Sequence, residues 1–191
     1  MNLTDNIYWR YFILVSRCLL AFIFISYGLA KLTNNQFGIN EIEMQTPIKD
    51  LSLFKVSWYL FNHQPFKMTI GFFEILAGVL ILINRTVVLG ILLLLPIIFT
   101  ILIIDVSFMP KVMAMAFTFR LSWYMVLCLM ILYSFKNEMK IVINQIFNEI
   151  SVKMDFPKWS YILIPFFIIG LELLGILPKT IYILIKNMIL R

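Results

Sequence analysis

SRCLLAFIFISYGLAKL, residues 16–32, is apolar enough to lie in lipid, yet it carries Arg17 near its start and Lys31 near its end. An arginine at the centre of a bilayer costs at least ~2.5–3.5 kcal/mol on insertion scales, so it must face a partner. Arg17, Ala21, Phe24, Gly28 and Lys31 recur at alternating steps of four and three residues. That spacing puts them in one stripe along a helix, with small residues at two positions where a second helix can approach. Extended back to residue 9, the run is long enough to cross a hydrocarbon core of ~30 Å. Gly28-Leu29-Ala30 resembles a small-x-small cleavage site, but the apolar run before it is too long and contains Arg17. The segment is therefore read as a retained membrane helix.

The rest of the chain has the same character. Of 191 residues, 62% are hydrophobic and only 14% charged, too little polar surface for a soluble domain of this length. The formal net charge is +6. Its lysines and arginines mostly flank apolar runs, where they meet lipid headgroups, and no nucleic-acid partner is expected. Cys18 and Cys128 sit in apolar runs without a CxxC. They read as packing residues rather than a dithiol centre. His63, the single histidine, cannot supply both axial ligands of a bis-histidine haem and reads as an interfacial polar residue. No His, Cys, Asp or Glu grouping has metal-ligand spacing, so no metal and no catalytic residue is assigned.

Five spans are expected, over about 9–32, 68–84, 86–104, 112–134 and 160–178, the last with a possible extension to 185. Pro96 and Pro165 should kink the third and fifth, unless Pro165 lies in a first turn. Asn84-Arg85 is a tight turn, so the second and third spans are antiparallel neighbours. The loop over 33–66 contains Leu51–Phe61, aromatic and too short to span, which is expected at the interface. Over 136–154, Met139, Val142, Ile146, Ile150 and Met154 repeat with a helical period, while Lys140, Asn144, Asn148 and Glu149 fall largely elsewhere. This is an amphipathic helix, lying on the membrane with Lys136, Lys153 and Lys158 at its margins or packed on the end of the bundle. The lysine-dense 136–158 segment favours an inside N-terminus, and five spans then leave the C-terminus outside.

Two carboxylates lie deep in other spans. Glu74 is flanked by Gly71, Ala77 and Gly78, and Glu172 by Gly170 and Gly175. Arg120 lies inside the fourth span. At ~1.5 Å per residue, Glu74 and Arg120 each lie roughly 10–12 Å from one edge and Arg17 roughly 10 Å from the other. Long arginine side chains bridge much of the offset. The expected arrangement is a buried polar core in which Arg17 and Arg120 are shared between Glu74 and Glu172. Lys31 and Asp105 form a second expected ion pair, since both end spans on one side. Such a core either holds helix register or lines a cavity for a ligand, quinone headgroup or proton.

These residues resemble the DoxX-like family of small integral membrane proteins. The resemblance rests on Arg17, Phe24-Ile-Ser-Tyr-Gly28 and Lys31-Leu32 in the first span. It continues with Gly71-Phe-Phe-Glu74-Ile-Leu-Ala-Gly78, Asn84-Arg85-Thr86, Leu89-Gly90 and Pro96, and with Trp58–Pro65 before the second span. It covers roughly residues 10–135. It implies an all-α fold: a four-helix transmembrane bundle over 1–135. Residues 136–191 add the amphipathic interfacial helix and a fifth C-terminal transmembrane helix, packed as part of one domain.

The resemblance implies a broad range of activities, from membrane subunits associated with thiosulfate:quinone oxidation to helpers of protein assembly or movement. No catalytic motif transfers residue by residue. The expected role is a non-enzymatic subunit or assembly partner of a larger complex, multi-pass in a bacterial inner (cytoplasmic) membrane, with lipid and a protein as partners. The alternative is a quinone-interacting subunit of an oxidoreductase, with quinone near Glu74, Arg17 and Arg120. A small transporter is a third possibility, weakened by the lack of an internal repeat.

Overall fold

The computed structural model describes residues 6–148, 157 and 159–189. α1 (Ile7–Leu32) starts where the Asn6 side chain accepts from the Tyr8 N–H at 2.9 Å, and stops where Thr33 turns its N–H back to the Leu29 carbonyl. All five residues of the stripe picked out in the sequence are buried, together with Ile13, Ser16 and Leu20. Cys18 follows Arg17 by ~100° of helical phase and is exposed, unlike the buried Cys128.

A polar connection leads to α2 (Glu41–Gln45), a 3-10 turn at Ile48–Asp50 and α3 (Leu53–Phe61). α2 is closed by a capping box between Asn40 and Glu43, which satisfies two of the helix's orphan donors. Glu43 also pairs with Lys55 of α3 at 2.8 Å. α4 (Phe66–Leu82) follows at a bend of 79° to α3, so α3 lies across the end of the bundle. This agrees with its sequence reading as an element too short to span.

α5 (Val87–Phe108) contains Pro96, and α6 (Lys111–Ser134) begins after Pro110. Between α4 and α5 the Thr86 hydroxyl donates to the Leu80 carbonyl at 2.9 Å, and the Gly90 N–H donates to the Thr86 carbonyl. α5 runs farther than its expected end at 104 and takes Asp105 into its last turn.

α1 packs on α4, α4 on α5, α5 on α6, and α6 back on α1, a closed ring of four. Its core holds Leu20, Phe24, Ala77, Ile81, Leu94, Ile98, Leu121 and Ile131. The outer faces carry exposed Phe22, Leu89, Met115 and Phe119, as expected of helices whose other face meets acyl chains. By length and composition α1, α5 and α6 can each cross a membrane, and α4 supplies a fourth span if it is counted together with α3, to which it is bent by 79°.

α7 (Lys136–Asn148) is helical, as the period of the segment implies. Glu149, Ile150, Lys153, Met154 and Lys158 lie outside the described residues. The chain divides into two compact units, Met1–Gln145 and Ile146–Arg191. The second contains α8 (Ser160–Ile189), apolar over Ser160–Leu174 and helical through Pro165.

The α1–α4 contact is the closest in the ring. Gly28 faces Gly71, and Ala21 faces Gly78. A Cβ at Gly28 would lie 2.5 Å from the Gly71 carbonyl oxygen and 2.6 Å from Ile75 Cγ1. A backbone oxygen cannot swing aside, so the helices must separate. Gly28→Val should therefore lower stability in mild detergent by about 1–3 kcal/mol, whereas Gly170→Val, where a Cβ meets nothing within 4 Å, should change it little. Thermal melts of the two variants check this.

The Glu43–Lys55 contact gives a pH dependence outside the membrane. The Lys55 ammonium and the Asn40 N–H hold the Glu43 carboxyl below its ordinary value of 4.5. A lowered folded-state value means that the contact is present at neutral pH and is lost as pH falls through that lowered value. The carboxyl carbon of Glu43 should titrate below 4.5 in a solution NMR experiment, and Lys55→Met should move its midpoint up.

Candidate functional site

The antiparallel α1–α4 pair has two polar ends. At one end, Lys31 near the C-terminus of α1 meets Glu74 of α4. Helical side chains lean towards the N-terminus of their own helix. Lys31 therefore leans into the bundle and Glu74 leans out to meet it. The ammonium donates to both carboxylate oxygens, at 2.7 and 2.8 Å. Lys31 is 3% exposed and Glu74 0%. Both oxygens of the acid are thus occupied, and the geometry is the bidentate one that a desolvated pair needs.

Aromatic rings enclose the ammonium. Its Nζ stands 5.5 Å from the Phe37 ring centre and 5.8 Å from that of Tyr27, within cation–π range. Phe37 belongs to the connection after α1. It packs edge-on against Trp58 of α3 at 5.4 Å and touches Phe61 at 5.9 Å. Trp58 Nε1 donates to the Gln36 carbonyl at 2.8 Å, and Phe61 stacks on Phe66 and meets Phe108 of α5. Gly38 has φ +116°, a region that favours glycine, and turns the connection back towards α3. Buried Lys67, at the start of α4, donates to the side-chain oxygens of Asn62, at 2.8 Å, and Asn34. The 33–66 connection is therefore a pinned cover over the Lys31–Glu74 end.

Asp105 lies at the same end, 4% exposed, and its carboxylate pairs with no cation among the described residues. Lys31 and Arg120 are the cations within its electrostatic reach. The expected Lys31–Asp105 ion pair is thus replaced by Lys31–Glu74. Arg120 is exposed on α6, one position off the buried run of Leu121, Tyr124 and Cys128. It donates to the Tyr27 hydroxyl at 2.6 Å and lies 4.6 Å from the Phe117 ring centre. It does not join Glu74.

Arg17 is at the other end of α4. Its Nε donates to the Ile81 carbonyl at 3.0 Å, and its Nη2 to the Leu82 carbonyl and Asn84 Oδ1 at 2.9 and 2.8 Å. These carbonyls belong to the last turn of α4, which has no intrahelical donor for them. Ile81 stands ~10 Å from Glu74 along the helix, so the expected Arg17–Glu74 pairing does not form. Arg17 is level with the α4–α5 turn, and this answers the difficulty of a charge in lipid: it closes a helix end. Glu172 lies in the separate C-terminal unit, exposed on α8. Among the described residues, no group of three or more His, Cys, Asp and Glu side chains is placed to hold a metal ion. His63 is exposed, with Nδ1 3.1 Å from the Tyr59 carbonyl.

Asn34 and Phe37 escape the sequence reading, and Asn84 is legible there only as a turn residue. A signal existed for Asn84, a side-chain acceptor at the end of an apolar run (where orphan carbonyls collect). None existed for Phe37, whose place depends on the fold of the connection.

If Lys31 and Glu74 stabilise one another, removing either leaves a buried charge, at a cost of about 3–5 kcal/mol. Lys31→Met and Glu74→Leu should each destabilise by about that much. Lys31→Met with Glu74→Leu should recover a large part of the loss. Unfolding in detergent would show this, and additive single losses would contradict the coupling.

The sequence is matched by known proteins. The DoxX family model matches residues 12–109, which include α1 from its second turn, the cover, α4 and α5. YwoB of Bacillus subtilis (strain 168), described as uncharacterized, is 37% identical over 118 residues, covering 61% of this chain and 72% of YwoB. No solved structure matches the chain. The residues that form the buried pair and close α4 all fall within the matched span, and the chain belongs to the DoxX family of multi-pass integral membrane proteins.

Proposed function

We propose that this DoxX-family protein is a non-enzymatic subunit or assembly partner of a larger membrane complex. The observation that carries this reading is the internal commitment of its deep charges. Glu74 spends both oxygens on Lys31, and Arg17 spends Nε and Nη2 on α4. Charges held in this way by their own fold, Glu74 through both oxygens and Arg17 through two of its three nitrogens, act as a scaffold rather than as reagents. The rigid four-helix unit then presents its surface to a partner, and residues 136–191 form the addition that contacts it: an amphipathic helix and a fifth span, functioning as part of one domain. The membrane is a bacterial inner membrane, with the α1 start, the α4–α5 turn and the end of α6 on the cytoplasmic side.

A second reading, a quinone-contacting subunit of an oxidoreductase of the thiosulfate:quinone type, draws on Asp105. An unpaired buried carboxylate near Arg120 and Tyr27 is the kind of polar group that orients a quinone headgroup in an apolar slot. Arg17 takes no part in it, being at the opposite end.

Gentle extraction of the full chain from its own membrane, followed by native mass spectrometry, separates the two. A stoichiometric protein partner, lost when residues 136–191 are removed while the four-helix unit stays folded, is the expected result. Absence of any partner, with quinone retained by the protein and released by Asp105→Asn, would replace the first reading with the second.

A further inference from the structure

A groove of about 630 Å³ runs between the start of α1 and the end of α6, beside the α6–α7 junction. Its lining includes Trp9, Arg10, Ile13, Arg17, Ser134 and Glu138. Arg17 has a planar guanidinium with five donors in a fixed fork. Nε and Nη2 are taken up by α4, whereas Nη1 makes no hydrogen bond among the described residues. Arg17 is only 7% exposed, so this free donor belongs to a buried side chain on the groove wall. Ser134 Oγ accepts from Trp9 Nε1 at 2.7 Å, which leaves its own proton available. Arg10 forms no ion pair among the described residues, including with Glu138. The groove thus gathers three sources of donors against one acid, and the rest of its wall is largely apolar.

Depth identifies the surroundings. Arg17 is level with the end of α4, where Asn84 and Arg85 make the turn. The part of α1 before Arg17 therefore extends past α4, ~15 Å of helix at ~1.5 Å per residue. It carries Tyr8, Trp9 and Tyr11, residues that favour the headgroup zone.

We propose that this groove binds a phosphate-bearing anion, and that its occupant is the headgroup of an anionic phospholipid. Arg10 and the free edge of Arg17 hold the phosphate, Ser134 donates to it, and the apolar wall follows the first carbons of an acyl chain. Glu138 opposes the anion and moderates its affinity.

The test uses the full chain, delipidated in detergent and titrated with short-chain phosphatidylglycerol, phosphatidylcholine or inorganic phosphate under native mass spectrometry. Phosphatidylglycerol should bind at one site in preference to phosphatidylcholine. Arg10→Gln should weaken it about fivefold to tenfold and Glu138→Gln should tighten it by a few fold. Lys140→Gln, a cation on α7 outside the groove lining, should leave it unchanged. Equal loss from Arg10→Gln and Lys140→Gln would show attraction to net charge and overturn the site. So would equal binding of the two lipids. Competition by millimolar inorganic phosphate, with no preference for lipid, would assign the groove to soluble phosphate and overturn the lipid headgroup.

Discussion

The glycine-lined approach of α1 to α4 is the constraint from which the rest of the four-helix unit follows. Gly28 against Gly71, and Gly78 against Ala21, bring the two backbones closer than larger residues would allow. Lipid offers no hydrophobic drive for two apolar helices to associate, so packing and polar contacts must supply it. Close approach provides the first and makes the second possible. Lys31 and Glu74 meet because the helices run antiparallel and their side chains lean towards each other. Arg17 reaches the carbonyls of Ile81 and Leu82 across the same interface.

The two polar ends solve different problems. At the Arg17 end the difficulty is a helix terminus with carbonyls that water cannot readily reach, and a cation with several donors satisfies them together. At the Lys31 end it is a carboxylate inside the bundle, and a cation on the facing helix neutralises it. The aromatic cover then limits access of water to that pair. Phe37, Trp58 and Phe61 are held by the Trp58 indole bond to Gln36 and by the two asparagines on Lys67. The cover is thus part of the same unit as the spans beneath it.

Much of this was legible in the sequence. The stripe from Arg17 to Lys31 identified the buried face of α1, and Asn84-Arg85 identified the α4–α5 turn. The aromatic Leu51–Phe61 segment is too short to span, and α3 within it is bent by 79° from α4. The charge partners were harder. Depth counted from span ends placed Arg17 and Glu74 within reach, but the register set by Gly28 and Gly71 puts Arg17 against Ile81 instead. A stripe shows which residues face a neighbour and leaves the sliding of one helix along another open. Arg120 failed for a related reason: one residue of helical phase carries it outside the buried row. The carbonyls that Arg17 satisfies cannot be seen in a list of side chains, since every residue has one.

The length of α4 carries a consequence for the surrounding membrane. Phe66–Leu82 rises only ~26 Å, short of a ~30 Å hydrocarbon layer. Both of its ends are tied to α1, so it cannot lengthen by unwinding or recover the difference by tilting independently. Thinning of the bilayer beside this face, snorkelling of flanking side chains or association with neighbours then makes up the difference, at a modest energetic cost for each ångström of mismatch. Such a protein is most comfortable in thin membranes, and in thicker ones it gains from gathering with other short-spanning neighbours.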